Sequence, residues 1–248
     1  MTNIWATKAK FGILGPSTNT VVEPDFDALR PDGVTNHYSR IYTPDTHALS
    51  NESFLAGTKI ISDNMMHAVR SVMTLRPTYL VMGMSAITFY GGLKGAEAFR
   101  DKIRQETNLD VSCGSLACRD ALIALGNVSR ISFLSPYFPA ANEQVRQFFI
   151  ECGFEVENDA CLQSESWTKI AEINEATLTR TIDEIDAKNV DAIVQVGTNL
   201  SMLKLAANLE ATLAKPVIAI NAATYWHALR AIGITDQKIG WGRLMERH

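Results

Sequence analysis

Residues that carry hydroxyl or amide groups follow several of the short apolar runs in this sequence. Such side chains, together with backbone N–H groups, can surround a carboxylate or a developing enolate without adding net charge. Taken singly, each residue is more typical of a helix cap or a turn, but four such loops together favour a binding site. The residues are Ser17, Thr18, Asn19, Ser85, Thr88, Tyr90, Tyr137, Thr198 and Asn199.

The elements that must position these residues are buried strands that alternate with helices. The apolar runs lack the polar alternation of a half-exposed strand, which is typical of parallel strands covered on both faces. Their alternation with segments of helical period predicts an α/β fold of parallel sheets flanked by helices, with ligands beyond the carboxyl ends of the strands. The predicted strands are 11–15, 79–83, 130–135, 191–197 and 216–220, and the predicted helices are 52–75, 92–107, 114–126, 140–152, 174–188, 200–214 and 223–233.

Single residues indicate several further features of these elements. Asn199 is predicted to cap the N-terminus of the helix at 200–214, and Gly126 is predicted to end the helix that begins at residue 114. Glu23 and Asp25 either act as acid/base groups or lie at the N-terminus of a helix after the first loop, where acidic side chains are stabilising, and the second interpretation is favoured.

The order of strands and loops predicts two similar halves. The strands at 11–15 and 130–135 both lead into a proline, and the strands at 79–83 and 191–197 both lead into a loop that carries a hydroxyl group. We therefore expect two pseudo-symmetric α/β halves, each a parallel sheet flanked by helices, with the site at their interface. The first half is predicted to comprise residues 1–110 and 221–248, and the second to comprise residues 111–220.

Composition and charge exclude several classes of protein. The 248 residues carry a formal net charge of −4 with no basic stripe, so we expect no nucleic-acid partner. The longest apolar stretches are shorter than the roughly 20 residues of a membrane span, and the N-terminal residues lack a signal-peptide pattern. We therefore expect a cytoplasmic protein without a membrane partner. No metal is expected, since no metal-ligand spacing joins Cys113, Cys118, Cys152 and Cys161.

Several sequence motifs are similar to those of known enzymes. The runs GILGPSTNTVVEPDF (12–26) and NHYSRIY (36–42) resemble the opening of maleate isomerases. The run MGMSAITFYGG (82–92) and the tail GWGRLMER (240–247) resemble arylmalonate decarboxylases, and segment 196–234 resembles the second catalytic region of both families. These motifs span nearly the whole chain and identify it as a member of the aspartate/glutamate racemase superfamily, in the maleate isomerase and arylmalonate decarboxylase group.

The resemblance implies a site between two pseudo-symmetric halves and no metal or organic cofactor. Members of the superfamily usually carry two cysteines that face each other across the substrate, and the decarboxylases keep only the second. In this sequence the first position falls on Met84, or on Ser85 if the loop is aligned otherwise, and the second falls on Gly197. Racemisation needs an acid or base on each side of the carbon, and maleate isomerisation needs a thiolate nucleophile, so the missing thiols disfavour both.

Decarboxylation of a malonate-like or small dicarboxylic acid depends less on a thiol. It requires one carboxylate held by donors while the other lies in an apolar pocket. The resemblance implies that Ser85, Tyr137 and Thr198, beside Gly197, form the catalytic centre that holds the enediolate. In the family a thiol then protonates the carbanion, and in this sequence we expect water or a tyrosine to replace it. The expected residues that bind this small carboxylic acid are Pro16, Ser17, Asn19, Met84, Tyr90, Asn199 and Cys113.

Three other residues each have two interpretations. Cys113 follows an apparent strand and starts a helix, which would lower the pKa of its thiol and make it a substitute for the missing one; the alternative is a buried, inert cysteine. Arg40 lies with His37 on an expected strand, and it either anchors a carboxylate or forms a surface ion pair with an acidic residue such as Asp45. His227 either reaches the cleft or is satisfied elsewhere.

Two other functions fit the same residues. One is a maleate isomerase-like cis–trans isomerase or a hydrolase, in which a water steered by Asn19 and Thr198 replaces the thiolate. The other is a carboxylate-binding protein without turnover. Since dimers are common in the superfamily, we expect a homodimer. A Gly197→Cys substitution is predicted to create or raise activity that depends on proton transfer.

Overall fold

Two parallel sheets of four strands form the framework of residues 4–47 and 50–248, which are the residues described by the computed structural model. The strands are β1 (Ala9–Pro16), β2 (Val34–Ile41), β3 (Tyr79–Met82), β4 (Val111–Ser112), β5 (Arg130–Ser135), β6 (Glu155–Cys161), β7 (Ala192–Gln195) and β8 (Val217–Ala219). The first sheet has the order β2-β1-β3-β4 and the second has the order β6-β5-β7-β8. All the strand pairs within these sheets are parallel.

The two sheets have the same topology, which confirms the predicted α/β fold of two pseudo-symmetric halves. In each sheet the central pair is the first and third strand of that half, so β1 corresponds to β5 and β3 corresponds to β7. These are the pairs that the sequence repeat indicates. The predicted boundary at residue 110 is early, however, because β4 pairs with β3 through Leu80 with Val111 and Val81 with Ser112.

Helices cover the sheets and connect successive strands. They are α1 (Val22–Leu29), α2 (Asn51–Met73), α3 (Gly92–Thr107), α4 (Gly114–Leu125), α5 (Pro139–Glu151), α6 (Glu175–Ile185), α7 (Leu203–Leu213), α8 (Ile220–Ala231) and α9 (Arg243–Arg247). All seven helices predicted from periodicity are present, and so is the helix expected after the first loop. The predictions contain no counterpart of β6 or α9. Within the described ranges, no helix combines the length and apolar composition needed to cross a membrane.

Asn199 shows where a local rule fails. The helix predicted to follow it begins only at Leu203, and its N-cap position is Met202. The Asn199 side chain instead donates to the carbonyl oxygen of Trp167 at 2.8 Å and accepts from the N–H of Thr20 at 3.0 Å. The capping prediction is therefore wrong, because loops distant in sequence occupy the amide. The prediction for Gly126 is confirmed, since it follows the last residue of α4 with a φ of 69°.

Helix α8 packs against elements of the first half. Its first turn also contacts a loop of the second half. Its side chains are buried on nearly all sides, which explains why it lacks an amphipathic pattern. The Tyr225 ring packs edge-on against Phe11, with centroids 5.6 Å apart, and lies 5.0 Å from the Phe26 ring. Its hydroxyl donates to Asn36 Oδ1 at 3.0 Å. These contacts hold α8 against β1, β2 and α1.

Asn221, in the first turn of α8, connects α1 to a loop of the second half. Its Nδ2 group donates to Asp25 Oδ2 at 2.7 Å and to the carbonyl oxygen of Thr198 at 3.0 Å. Desolvation by burial raises the pKa of Asp25 to about 7, and the hydrogen bond from Asn221 opposes this shift. The Asp25 carboxyl therefore changes charge near neutral pH while it is in contact with the residue that supports Thr198.

Asp25 should make folding stability depend on pH. Its pKa in the folded state is higher than in the unfolded chain, so folding takes up a proton between about pH 4 and 7 and stability falls as pH rises through that range. Above pH 7 the charged carboxylate remains a cost. We expect Asp25→Asn to raise the free energy of unfolding at pH 8 by on the order of 2 kcal/mol, with a smaller gain at pH 5.

Urea unfolding at a series of pH values measures this effect. The control is Asp183→Asn on the exposed face of α6, which should follow the wild-type curve. Parallel curves for the wild type and Asp25→Asn would contradict the assignment.

Candidate active site

A cavity of about 40 Å³ lies where the carboxyl ends of the central strands of both sheets converge. The loops after β1, β3, β5 and β7 all reach it, which is the arrangement that the sequence predicts. None of the lining residues carries a formal charge. They are Pro16, Thr18, Asn19, Ile61, Met84, Ser85, Ala86, Pro136, Tyr137, Trp167, Ile170, Gly197, Thr198 and Asn199.

Three groups from the two halves form a hydrogen-bonded cluster in the cavity wall. Ser85 Oγ lies 2.7 Å from the hydroxyl of Tyr137, and the backbone N–H of Thr198 donates to Ser85 Oγ at 3.1 Å. Ser85 is 2% exposed and Tyr137 is 3% exposed, so both hydroxyls are shielded from bulk water. Ser85 comes from the first half, whereas the other two come from the second. The cluster therefore exists only when the halves are in the correct relative position.

A second set of contacts orients Thr198 and Asn19. Asn19 Nδ2 donates to Thr198 Oγ1 at 3.2 Å, and Thr198 Oγ1 donates to the carbonyl oxygen of Gly83 at 3.2 Å. Asn19 Oδ1 accepts the N–H groups of Val21 and Val22 at 2.9 Å each, which satisfies the first turn of α1. Because its oxygen is engaged in this cap, the amide of Asn19 presents its NH₂ group to the site.

The Tyr137 hydroxyl keeps its proton at neutral pH. Burial raises the pKa of Tyr137 well above its usual range, and the hydrogen bond with Ser85 only partly offsets this effect. Its backbone N–H donates to Ser135 Oγ at 3.1 Å, and Ser135 donates in turn to Asn142 in α5 at 2.6 Å. The phenol is thus a neutral donor on a backbone fixed from behind.

Apolar side chains complete the wall beside these donors. They come from three different elements, namely Ile61 of α2, Met84 after β3, and Trp167 with Ile170 between β6 and α6. A cavity with donors in one part and apolar groups in another strengthens electrostatic interactions, because little water competes for the donors. Trp167, Ile170 and Ile61 are not among the predicted site residues, and no local sequence signal marks them.

No cysteine supplies a thiol to this cavity. Cys113 precedes α4 as predicted, but its side chain is 1% exposed and burial raises its pKa to about 12, so desolvation outweighs the helix N-terminus. Cys118, Cys152 and Cys161 are also absent from the lining, and burial raises the pKa of each. Cys113 is therefore a buried, inert cysteine and not a substrate-binding residue. Within the described ranges, no cluster of His, Cys, Asp and Glu has the geometry of a metal site.

Gly197 lies in the cavity wall in a conformation that suits only glycine. Its φ is 106°, and a Cβ atom added there would overlap the ring atoms Cγ and Cδ of Pro136. A thiol at this position would require both the backbone and Pro136 to move. The structure therefore argues against the prediction that Gly197→Cys raises activity.

Two of the predicted binding residues lie outside the cavity. Ser17 is exposed, and its Oγ accepts the N–H of Thr43 at 2.9 Å and donates to the Thr43 carbonyl oxygen at 3.2 Å. Tyr90 follows a 3₁₀ turn at Ala86–Thr88, which carries it to a separate open groove between α2 and α3. Both predictions are corrected: the Ser17 hydroxyl bonds the backbone of Thr43, and the 3₁₀ turn after Ser85 directs Tyr90 away from the cavity.

Arg40 and His227 are engaged elsewhere. Arg40 forms an ion pair with Glu23 at 2.7 Å and donates to the carbonyl oxygen of Asn19 at 2.6 Å, so it supports the first loop from behind. Its acidic partner is not Asp45, which accepts from Thr168. The His227 ring bonds Ser112 at 2.7 Å and Asp120 at 3.1 Å, and neither residue lines the cavity.

Comparisons with known proteins show the family and the fold of this chain. Residues 48–245 match the family model described as arylmalonate decarboxylase. A maleate isomerase of Pseudomonas putida KT2440 is 24% identical over 248 residues, which cover 95% of this chain and 96% of that protein.

Solved structures show the same fold. A maleate cis–trans isomerase of Nocardia farcinica bound to TRIS superposes with a TM-score of 0.87 at 20% identity, over 96% of this chain and 98% of that one. A crystal structure of arylmalonate decarboxylase has a TM-score of 0.75 at 23% identity, over 95% and 98% of the two chains. Because the family model spans most of the sequence, the chain belongs to the arylmalonate decarboxylase family, within the group of decarboxylases and maleate isomerases that its motifs resemble.

Proposed function

We propose that this chain is a cofactor-independent decarboxylase that converts a malonate-like or small dicarboxylic acid into a monocarboxylic acid and CO₂. One observation carries the proposal. The same cavity contains the neutral donor cluster of Ser85, Tyr137 and Thr198 beside an apolar wall, and no cysteine lines it. This combination suits a reaction in which negative charge moves from one carboxylate to another without a covalent intermediate.

The donor cluster binds the carboxylate that is retained. Ser85 and the NH₂ group of Asn19 offer O–H and N–H donors to its oxygens, while the Thr198 N–H donates to Ser85 Oγ and strengthens the Ser85 hydroxyl as a donor. When the C–CO₂ bond breaks, its electron pair moves onto the α-carbon and into the retained carboxylate, which becomes an enediolate with greater charge on its oxygens. The donors bind this species more strongly than the substrate, and that difference lowers the barrier.

The departing carboxylate lies against the apolar wall formed by Met84, Ile61 and Ile170. A charged carboxylate is poorly solvated there, whereas the neutral CO₂ that it becomes is not penalised. The apolar wall and the donor cluster therefore both lower the barrier to cleavage of the C–CO₂ bond.

Tyr137 returns a proton to the α-carbon. Its hydroxyl transfers the proton to the enediolate carbon, which gives the monocarboxylate and a phenolate. Ser85 Oγ already accepts from the Thr198 N–H, so its own hydroxyl can turn to donate to that phenolate. A water then protonates the Tyr137 phenolate and leaves as hydroxide, which completes the cycle.

The relatives support two neighbouring activities. The arylmalonate decarboxylase family match supports a lyase, while the relative named maleate isomerase favours cis–trans isomerisation as the second candidate. In that reaction, water steered by Asn19 and Thr198 adds to the double bond, the resulting single bond rotates, and the water leaves again. Decarboxylation is preferred because the cavity lining holds no thiol to add to a double bond.

A substrate panel tests the proposed reaction. Purified protein is incubated with malonate, methylmalonate, phenylmalonate and maleate, and the products are followed by CO₂ release and proton NMR. We expect CO₂ and the matching monocarboxylate from at least one malonate, with maleate unchanged. Fumarate or a hydration product from maleate without CO₂ from any malonate contradicts the proposal. Binding without any product identifies a carboxylate-binding protein instead.

Tyr137→Phe should separate proton transfer from binding. The substitution keeps the buried ring and removes the hydroxyl, so we expect kcat to fall by a factor of about 10²–10⁴, as for a lost general acid, with a smaller change in KM. Ser85→Ala should lower kcat less, by about 10–10³-fold, because Thr198 still donates from its backbone. The control is Ser17→Ala, which removes an exposed hydroxyl outside the cavity and should retain wild-type kinetics. Equal effects of all three substitutions would rule out the assigned roles.

Gly197→Cys should destabilise the fold without adding activity. The left-handed backbone and the overlap with Pro136 together should cost on the order of 2–4 kcal/mol of unfolding free energy. Met84→Cys is the matched control, since it places a thiol in the same cavity at a position that already carries a side chain. Thermal denaturation and the maleate assay measure both variants. A Gly197→Cys protein with wild-type stability and new isomerase activity would overturn this interpretation.

A further inference from the structure

The cavity is much smaller than an ordinary ligand site. Its volume of about 40 Å³ accommodates on the order of three waters, whereas sites for drug-sized ligands have volumes of roughly 300–1,000 Å³. The donors of its polar part belong to loops at the ends of buried strands and are held by several hydrogen bonds. The apolar side chains of the wall therefore set the size of the acid that the cavity can hold.

Trp167 is the largest side chain in that wall. Its ring packs on Phe54 of α2, with centroids 4.9 Å apart, and it lies directly over Gly57 one turn along the same helix. A Cβ atom at position 57 would lie 2.7 Å from Cζ2 of Trp167, so only glycine leaves room for the indole there. Helix α2 thus provides the surface on which the ring packs beside the cavity.

The backbone around Trp167 is fastened to the first half and to the site itself. Its carbonyl oxygen accepts from Asn199 Nδ2 at 2.8 Å, and Asn199 also lines the cavity. The Asp45 carboxylate accepts the N–H of Thr168 at 3.1 Å and its hydroxyl at 2.6 Å. These bonds fix the position of the backbone, and therefore how far the ring extends into the cavity.

The indole itself has no polar anchor. Trp167 is 8% exposed, and its Nε1–H has no hydrogen-bond partner among the residues that the structure describes. Buried tryptophan N–H groups usually have a partner, so this ring is held by packing against α2 alone.

We propose that Trp167 is the specificity-determining residue of the cavity, and that it restricts the substrate to malonates with hydrogen or a methyl group on the central carbon. A larger substituent, such as a phenyl ring, would require the space that the indole occupies. This inference rests on the proposed function for the type of acid, but the size limit follows from the position of the ring.

The test is a comparison of binding and turnover for malonate, methylmalonate and phenylmalonate. Calorimetry gives the dissociation constants, and CO₂ release gives kcat/KM. We expect the wild type to bind methylmalonate at least tenfold more tightly than phenylmalonate. Trp167→Ala should shift that ratio at least tenfold toward phenylmalonate, and Trp167→Phe should shift it less in the same direction.

Trp226→Ala is the matched control. Trp226 is 7% exposed and its Nε1 also has no partner among the described residues, but it lies on α8 and does not line the cavity. This variant should leave the binding ratio unchanged, which separates the size of the cavity from the general effect of removing a buried indole. If Trp167→Ala does not fold, the Trp167→Phe ratio decides the question.

The outcomes distinguish the two proposals. A shifted binding ratio without CO₂ from any malonate supports the specificity role of Trp167 and rejects decarboxylation. An unchanged ratio in both Trp167 variants, or an equal shift in Trp226→Ala, rejects the specificity role even if CO₂ is released. If the wild type binds no malonate, both proposals are wrong.

Discussion

The hydrogen bonds between Ser85, Tyr137 and the Thr198 N–H are the contacts on which the rest of the site depends. They join loops of two separate sheets, so each half must place its strand ends within a few tenths of an ångström. The same demand explains the surrounding contacts. Asn19 caps α1 and reaches Thr198, and Asn221 connects α1 to the Thr198 carbonyl from α8. The fold therefore holds three neutral donors at fixed positions relative to one another.

Neutral donors suit a reaction in which charge is redistributed rather than neutralised. A lysine or arginine in the cavity would bind the substrate carboxylate strongly before reaction, and binding that is equal in ground and transition states does not accelerate chemistry. Hydroxyl and N–H groups that are shielded from bulk water interact most strongly when the charge on the held oxygens grows. Arg40 illustrates the arrangement, because it lies behind the first loop, is paired with Glu23, and bonds the carbonyl oxygen of Asn19.

Sequence patterns predict the framework better than the outer wall of the site. The buried strands and the helices between them follow from hydrophobic period, because that period reflects burial directly. The twofold repeat follows from the similar residues that end corresponding strands. Polar residues in the loops after β1, β3, β5 and β7 are predicted to converge, and Asn19, Ser85, Tyr137 and Thr198 do line one cavity, whereas Ser17 does not.

The features of the site that sequence patterns did not predict depend on contacts between residues distant in the chain. Trp167 and Ile61 reach the cavity from elements that no motif links to it, and Tyr90 leaves it because a single 3₁₀ turn redirects the chain. Desolvation decides the state of Cys113, although its position at a helix start favours a reactive thiol. The obstacle at Gly197 is the ring of Pro136, a contact that only the folded chain reveals.

A crystal structure of the protein with methylmalonate tests the central claim most directly. The account predicts that one carboxylate lies in the cavity within hydrogen-bond distance of Tyr137 and of Ser85 or Thr198, without a contact to any lysine or arginine. The other carboxylate should lie against the apolar wall. A carboxylate bound by Arg40, or in the open groove beside Tyr90, would contradict the account.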